Sequence, residues 1–338
     1  MIVDDSALVR EVLRELFVRE PDLEVVATAP DPIRARELLR TTGVDVITLD
    51  VEMPRMNGLA FLETLMAECP IPVVMVSSLT ERGSELAMRA LELGAVDIVE
   101  KPKLDVRAGT FALAAELVAK VRGAASARPR TVRRSAAVAS ALTANPGFRS
   151  TDRLIAIGAS TGGTEAILEM MSAFPLAAPG VVIVQHLPLR FSNSFAVRLD
   201  RACRVEVRVA RDGDRVRPGL ALLAPGDCHM RLIRSGAAYL VKLGTEAPIG
   251  GHRPAVDALF ESTAVAVGQA AVGVLLTGMG ADGARGLLAM RRAGAVTIAQ
   301  NEATCVVFGM PKEAIACGGA QHVLPLEHIA GAALRAVA

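Results

Sequence analysis

The first 122 residues of the chain alternate short apolar runs with amphipathic stretches. The apolar runs are near-continuous, which is typical of buried parallel strands, and apolar residues recur at helical spacing between them. Strands are expected at residues 1–3, 23–28, 44–49, 71–77 and 95–99, and helices at 8–17, 33–39, 59–66, 86–93 and 111–121. Asp5 and Ser6 provide an expected N-cap for the first helix. Five strands alternating with five helices predict a five-stranded parallel α/β sheet.

A second α/β pattern begins at residue 151. A strand at 153–160 ends in a Gly/Ser turn, and a strand at 180–186 ends on His186. Four shorter segments follow at 205–210, 220–225, 230–234 and 237–243. Their alternation and spacing predict an antiparallel excursion. Further helix and strand patterns alternate to residue 300. We therefore expect a doubly wound, mostly parallel α/β domain with an antiparallel β excursion.

The segment 123–150 between these patterns has a different composition. It holds five arginines and no acidic residue, and alanine, serine, proline and glycine dominate it. This composition predicts a flexible, cationic linker, and a contact site for an acidic partner is a second interpretation. The chain is thus divided into a domain at 1–122, a linker at 123–150 and a domain at 151–338.

Composition narrows the function classes of the 338-residue chain. Lys and Arg number 37 against 36 Asp and Glu, and aromatic residues make up 3%, which argues against nucleic-acid binding. No apolar run approaches the roughly 18 residues of a membrane span, and the first residues do not resemble a secretory signal. The five cysteines are scattered, with no C-x-x-C. A cytoplasmic protein without membrane insertion, disulfides or zinc is expected.

Polar residues follow the predicted strands of the first domain where each strand ends. Asp4, Asp5 and Asp50 bring three carboxylates, and Ser77 and Lys101 follow later strands. The carboxyl ends of parallel strands share one crevice, so these side chains should lie together. Clustered carboxylates favour Mg²⁺, and a carboxylate beside Mg²⁺ and a lysine can act as a nucleophile towards a phosphoryl group. For any one aspartate alone, a helix cap is the ordinary alternative.

These residues resemble the flavodoxin-like receiver domain of two-component response regulators. The resemblance covers residues 1–122 and rests on VDDS (3–6), TLDVEMPRMNG (48–58), VVMVSS (73–78) and ALELGAVDIVEKP (90–102). It implies that Asp50 is the phosphoacceptor, that Asp4 and Asp5 help Asp50 hold Mg²⁺, that Ser77 senses the phosphoryl group and that Lys101 pairs with it. Receiver domains usually carry several more residues before V-D-D-S, so we expect a misassigned start, a truncation or a weakened first strand.

A serine in the second domain lies on a glycine turn between a strand and a helix. The run G-A-S-T-G at 158–162 matches G-x-S-x-G, the nucleophile-elbow pattern, with Ser160 at its centre. A serine nucleophile needs a base and an orienting group, and His186 and Asp282 also follow strands of the same predicted sheet. The order Ser, His, Asp differs from that of α/β-hydrolases, so a different fold with the same geometry is expected.

Two nucleotide-binding interpretations compete with this one. The glycine turn lacks the lysine of a phosphate-binding P-loop, since Thr164 and Glu165 stand there. G-M-G-A-D-G at 278–283 satisfies G-x-G-x-x-G, with Glu302 near the ribose-binding spacing. However, Asp282 would place a negative charge in the turn that must hold a pyrophosphate, which disfavours dinucleotide binding.

The second domain resembles the catalytic domain of chemotaxis protein-glutamate methylesterases. The motifs are IGASTGGTEA (157–166), VVIVQHLP (181–188), LAPGDCHM (223–230), HRPAVDALF (252–260) and LLTGMGADGARG (275–286). The resemblance implies that Ser160 is the nucleophile, His186 the general base and Asp282 its orienting group. It places Thr161 and Met279 at the active site, with the Met279 N–H as a candidate oxyanion donor. His252 is expected to line the cleft, and a structural role at the cleft rim is equally open.

The two resemblances together imply a phosphorylation-activated hydrolase. It would remove methyl groups from glutamyl methyl esters of chemoreceptors, release methanol and deamidate selected receptor glutamines. A chemotaxis histidine kinase would be the phosphodonor, Mg²⁺ would act in the receiver domain, and the esterase domain would need no cofactor. A cytoplasmic monomer is expected. Two alternatives stay open: a phosphorylation-switched adaptor without catalysis, and an esterase or amidase acting on another protein.

Overall fold

The computed structural model describes residues 1–53, 57–77, 80–101, 110–127 and 153–337. The chain divides into two compact units, Met1–Arg133 and Arg134–Ala338, and each is described by itself. Most of the predicted linker, residues 128–150, lies outside the described residues. Over the ranges that are described, no helix combines the length and the apolar character that a bilayer crossing requires.

The first unit is a parallel sheet flanked by helices, as the sequence predicts. Its elements are β1 (Ile2–Val3), α1 (Ala7–Val18), β2 (Thr28–Ala29), α2 (Pro32–Leu39), β3 (Ile47–Asp50), α3 (Gly58–Glu68), β4 (Val73–Ser77), α4 (Glu81–Glu92), β5 (Asp97–Glu100) and α5 (Thr110–Ala125). The strand order β2-β1-β3-β4-β5 is flavodoxin-like, and every pair is parallel. The last helix runs three residues beyond the boundary expected at 122.

Local chemistry sets where these helices begin. The Ser6 side chain accepts a hydrogen bond from the Val9 N–H at 3.3 Å and caps α1, which was the expected cap. Asp31 and Asn57 cap α2 and α3 in the same way. Such side chains replace the intrahelical acceptors that the first N–H groups of a helix lack. Each cap thus fixes the point where the chain leaves a strand end and turns into a helix.

The second unit contains a seven-stranded sheet and a separate two-stranded ribbon. Its elements are β6 (Leu154–Ala159), α6 (Gly163–Ser172), β7 (Gly180–Gln185), α7 (Leu189–Ala202), β8 (Glu206–Val209), β9 (Leu220–Leu223), β10 (His229–Ser235), β11 (Ala238–Gly244), α8 (Val256–Ala266), β12 (Ala271–Leu275), α9 (Ala284–Arg292), β13 (Val296–Gln300), α10 (Met310–Ala316), β14 (His322–Leu324) and α11 (Leu326–Ala336). The sheet order is β14-β13-β12-β6-β7-β9-β8, with all pairs parallel.

The antiparallel excursion is present but smaller than the sequence suggested. Strands β10 and β11 form the antiparallel ribbon, from the pair His229 and Gly244 to the pair Ser235 and Ala238. The segments at 205–210 and 220–225 were expected to belong to it, and that assignment is wrong because β8 and β9 are parallel strands of the main sheet. An alternating pattern marks a half-exposed strand, and β8 is half-exposed because it lies at the sheet edge.

Polar residues follow the central strands of this sheet at their carboxyl ends. Strands β12, β6 and β7 are adjacent and wholly buried. Ser160 follows β6, His186 follows β7 and Asp282 lies in the loop after β12. Because these strands are parallel, the three residues leave the sheet at the same side. The fold therefore gathers residues from three distant parts of the chain.

Candidate active site and candidate phosphoacceptor pocket

A chain of hydrogen bonds joins the three polar residues of the second unit. The Ser160 Oγ lies 3.1 Å from His186 Nδ1, and His186 Nε2 lies 2.8 Å from Asp282 Oδ2. All three side chains are almost completely buried. When Nε2 carries its proton towards Asp282, Nδ1 is left unprotonated and can accept the serine proton. This is the geometry that general-base activation of a serine requires.

Helix α8 holds the Asp282 carboxylate in place. The Val256 N–H donates to Oδ2 at 2.7 Å and the Asp257 N–H donates to Oδ1 at 2.9 Å, so the first turn of α8 grips both oxygens. Burial disfavours the charged form, but the hydrogen bonds from His186 and from this helix end outweigh it and lower the pKa of Asp282. The carboxylate is therefore ionised at neutral pH and keeps the imidazole in the orientation that serves Ser160.

Glycines allow the sharp turn that presents Ser160. The Ser160 N–H donates to the Thr277 carbonyl at 3.0 Å, and the Gly163 N–H donates to the Ser160 carbonyl at 2.7 Å, which starts α6. Gly162 has a φ of 74°, a left-handed conformation, and a Cβ there would lie 2.5 Å from Val306 Cβ. Both the backbone and the space around it thus require glycine at this position.

A second loop approaches the serine from the end of β12. A Cβ on Gly278 would lie 2.8 Å from Ser160 Cβ, so only a glycine lets this loop come so close. Its neighbour Met279 is half-buried, and across the described ranges no hydrogen bond uses the Met279 N–H. Thr161 is buried, and its carbonyl accepts a hydrogen bond from Thr277 Oγ1 at 3.0 Å. Of the residues predicted to shape the site, Thr161 is thus the chain neighbour of Ser160, and Met279 is the chain neighbour of the glycine that approaches it.

His252 reaches the site from the loop that precedes α8. Its ring stacks on that of His186, with centroids 3.9 Å apart and planes 10° from parallel. The structure thus places this candidate residue directly on the face of the candidate base.

The first unit collects its own charged cluster at the strand ends. Lys101 follows β5, and its Nζ lies 2.9 Å from Asp4 Oδ2 and 2.9 Å from Asp50 Oδ2. Both carboxylates are almost fully buried. Burial raises the pKa of Asp50 to about 6, and the nearby Asp4 carboxylate adds to this rise while Lys101 opposes it. Burial disfavours the Lys101 ammonium, but its hydrogen bonds to Asp50 and Asp4 outweigh this and raise its pKa.

Three carboxylates of this pocket form a donor set for a divalent cation. Asp4, Asp5 and Asp50 each offer an oxygen, and these oxygens lie within 4.8 Å of one another. Asp4 and Asp50 are buried, whereas Asp5 is exposed. Hard oxygen donors of this kind are the ligands that Mg²⁺ prefers, and one exposed side leaves room for its waters. The residues present therefore fit the cation that the sequence predicts.

Ser77 ends the strand that neighbours Asp50. Asp50 pairs with Val76 in the sheet register, so Ser77 is one residue beyond that partner. It is fully buried, its Oγ donates to the Gly83 carbonyl at 3.1 Å, and its own carbonyl accepts from the Lys101 N–H at 2.8 Å. The predicted switch residues are thus linked through the backbone.

Known protein families match both units. The model of the CheB methylesterase family covers residues 155–333, and that of the response regulator receiver domain covers residues 1–107. The protein-glutamate methylesterase/protein-glutamine glutaminase 2 of Pseudomonas aeruginosa is 55% identical over 338 residues, which is 100% of this chain and 96% of the relative. This chain belongs to the CheB methylesterase family.

Other CheB relatives extend the match. The protein-glutamate methylesterase/protein-glutamine glutaminase 2 of Cupriavidus pinatubonensis is 56% identical over 330 residues, covering 96% of this chain and 92% of the relative. The crystal structure of the Thermotoga maritima CheB methylesterase catalytic domain is 36% identical, with a TM-score of 0.53, over 54% of this chain and 97% of that one. The predicted family and fold class are confirmed.

Two residues of this CheB chain take part in the site although they are absent from the predicted site residues. Gln185 precedes His186 and donates through Nε2 to the Ser160 carbonyl at 2.9 Å. Asp257 donates its N–H to Asp282 and accepts the Gly286 N–H at 2.8 Å. A polar residue closing the apolar run GVVIVQ and an acid in the first turn after HRPA were the available signals.

Proposed function

We propose that this chain hydrolyses glutamyl γ-methyl esters on chemoreceptors and deamidates selected receptor glutamines. The observation that carries the proposal is the buried hydrogen-bond chain from Ser160 through His186 to Asp282. The names of relatives 55–56% identical to this chain supply the substrate class. An enzyme with these partners would work in the cytoplasm, where receptor signalling regions and histidine kinases meet.

The proposed reaction passes through an acyl-enzyme. Ser160 Oγ attacks the ester carbonyl carbon while His186 Nδ1 takes the hydroxyl proton. The carbonyl becomes an oxyanion, for which the Met279 N–H is the candidate donor. When this intermediate collapses, His186 returns the proton to the leaving group and methanol departs. Water, deprotonated by His186, then releases glutamate from Ser160. With a glutamine substrate the same steps release ammonia.

The receiver unit is proposed to regulate this reaction. Asp50 would accept a phosphoryl group from a histidine kinase, and Lys101 would pair with the new negative charge. Mg²⁺ held by Asp4, Asp5 and Asp50 would neutralise charge on the transferred group. Phosphorylation can activate the esterase only by favouring a conformation in which the phosphorylated receiver makes different contacts.

Methanol release from methylated receptors tests the proposed function. The purified full chain is incubated with membranes that carry receptor labelled at its methyl esters, with and without acetyl phosphate and Mg²⁺. We expect volatile labelled methanol in both cases and more with the phosphodonor. A non-catalytic adaptor would release none under either condition. An esterase for another protein would hydrolyse a small test ester but leave the receptor methylated.

The Asp50→Asn variant tests the regulation. Asparagine lacks the carboxylate that attacks the phosphodonor, so we expect the stimulation by acetyl phosphate, of the order of 5- to 150-fold for a typical coupling, to disappear. The measurement is the ratio of methanol-release rates with and without acetyl phosphate. Asp45→Asn, a change at an exposed acid of the same unit, should keep the wild-type ratio. An undiminished ratio in Asp50→Asn would contradict the assignment.

A further inference from the structure

Gln185 lies inside the candidate active site without touching the reacting atoms. It is the last residue of β7 and is 2% exposed. Its Nε2 donates to the Ser160 carbonyl at 2.9 Å and lies 3.5 Å from the His186 carbonyl. One side-chain amide thus contacts the backbone of both the candidate nucleophile and the candidate base. Because both of these neighbours are carbonyl oxygens, the amide nitrogen must face them.

The other end of this amide is buried at a cost. Gln185 Oε1 has no hydrogen-bond partner in the part of the chain that the structure describes. It packs over Gly163, where a Cβ would lie 2.1 Å from it. An unsatisfied buried amide oxygen destabilises a fold, and an apolar side chain of similar length would avoid that cost. The oxygen therefore adds nothing to the stability of the fold, whereas the nitrogen donates a hydrogen bond to the turn that carries Ser160.

The hydrogen bond to Ser160 fixes a whole peptide plane. The Ser160 carbonyl shares its peptide with the Thr161 N–H, and in a trans peptide these two groups point in opposite directions. Gln185 Nε2 and the Gly163 N–H hold the carbonyl on one side, so the Thr161 N–H points to the other. In nucleophile elbows, the N–H after the nucleophile contributes to the oxyanion hole. A rotation of this plane would move both that donor and the serine.

We propose that Gln185 is a positioning residue of the hydrolytic site: its amide nitrogen locks the Ser160–Thr161 peptide in the orientation that serves catalysis. This role rests on the proposed function, since it concerns the same reaction. It adds a fourth side chain to the site, one that acts through the backbone rather than on the substrate. Loss of this amide should slow the chemical step and leave substrate binding nearly unchanged.

The Gln185→Met variant separates positioning from stability. Methionine has a similar length and removes both the amide donor and the unsatisfied oxygen. We expect kcat for methanol release from methylated receptor to fall by about 10- to 100-fold, with KM within about twofold of wild type. The midpoint of thermal unfolding should fall by less than in a variant that loses a short buried hydrogen bond, because Ser160 O keeps the Gly163 N–H and the His186 carbonyl loses only a long contact of 3.5 Å.

Thr297→Val is the matched control for a lost buried hydrogen bond. Thr297 is fully buried in β13, and its Oγ1, outside the site, donates to the Gly319 carbonyl at 2.7 Å and accepts the Gln321 N–H at 3.0 Å. This variant should unfold at a lower temperature with unchanged kcat. The proposal is overturned if Gln185→Met keeps kcat within twofold, or loses activity only together with thermal stability. Wild-type protein without methanol release would instead refute the proposed function itself.

Discussion

Alanine at position 160 should remove methanol release almost completely. The Ser160→Ala change deletes the Oγ that lies 3.1 Å from His186 Nδ1 and leaves the imidazole without a proton to take. Variants of serine hydrolases that lose the nucleophile typically lose at least about 10⁴-fold in kcat, which corresponds to about 5.5 kcal/mol of transition-state stabilisation. We expect a loss of this size, measured as initial rates of methanol release. Covalent labelling by a fluorophosphonate, read by intact mass, should vanish as well.

Ser262→Ala provides the matched serine control. Ser262 lies in α8, and its Oγ accepts the Leu232 N–H at 3.0 Å, so its loss removes a comparable hydrogen bond without touching the site. This variant should keep wild-type kcat and fluorophosphonate labelling, with slightly lower stability. Ser160→Ala protein that folds normally and still releases methanol would show that another group is the nucleophile.

The hydrophobic pattern predicts which segments form strands more reliably than whether a strand runs parallel or antiparallel to its neighbours. Wholly buried runs such as 180–186 belong to central parallel strands, because both of their faces are covered. The half-exposed segment at 205–210 alternates in the same way at the edge of a parallel sheet as in an antiparallel ribbon, so periodicity alone cannot separate the two cases. Helix α7 was not predicted, although Phe191, Phe195 and Leu199 bury one face at helical spacing.

The site could be predicted in part because the topology makes distant residues neighbours. Ser160, His186 and Asp282 each follow a strand, and any parallel arrangement of those strands brings them to one edge. Their roles in catalysis stay a prediction that the variants test. Two contacts could not be predicted: the hydrogen bonds from the start of α8 to Asp282, and the stacking of the His252 ring on that of His186. Both depend on the path of the loop 245–255 in space, which no local sequence pattern encodes.

The charged pocket of the receiver unit shows the same limit. The residues Asp4, Asp50 and Lys101 follow from motif and strand order, but their electrostatics follow from packing. Lys101 lies at the same distance from both carboxylates, and burial, not sequence, raises the pKa of Asp50 to about 6. The sequence thus predicts which side chains of this pocket lie together, but it does not predict how burial shifts their pKa values.

An Asp282→Asn variant should lose nearly as much activity as the serine variant while keeping almost the same shape. The carboxylate accepts hydrogen bonds at both oxygens, from Asp257 N–H at Oδ1 and from Val256 N–H and His186 at Oδ2. Asparagine has one acceptor and one donor at these two places. If its amide nitrogen faces His186, Nε2 must become an acceptor, and the imidazole proton moves to Nδ1. A protonated Nδ1 cannot accept the proton of the Ser160 hydroxyl. The same amide nitrogen would also meet the Val256 N–H, which is a donor too. If the amide nitrogen instead faces Asp257, it meets the Asp257 N–H, and the imidazole keeps its tautomer but loses the negative charge that stabilises its protonated form.

Either orientation impairs the base, so we expect kcat for methanol release to fall by about 10⁴-fold at neutral pH, as for other serine hydrolases that lose the charge of this group. Asp200→Asn is the matched control, because that exposed carboxylate also accepts a backbone N–H, from Val207 at 2.8 Å, and lies outside the site. Its kcat should stay at the wild-type value.

Because the pKa of Asp282 is lowered from its ordinary 3.8, its stabilising hydrogen bonds are present above that pH and are lost as the pH falls through the lowered value. The difference in unfolding free energy between wild type and Asp282→Asn should therefore not shrink as the pH falls from 8 to 5, and should shrink only in stronger acid. A difference that already shrinks near pH 6, or a kcat within tenfold of wild type, would mean that Asp282 is not the ionised partner of His186.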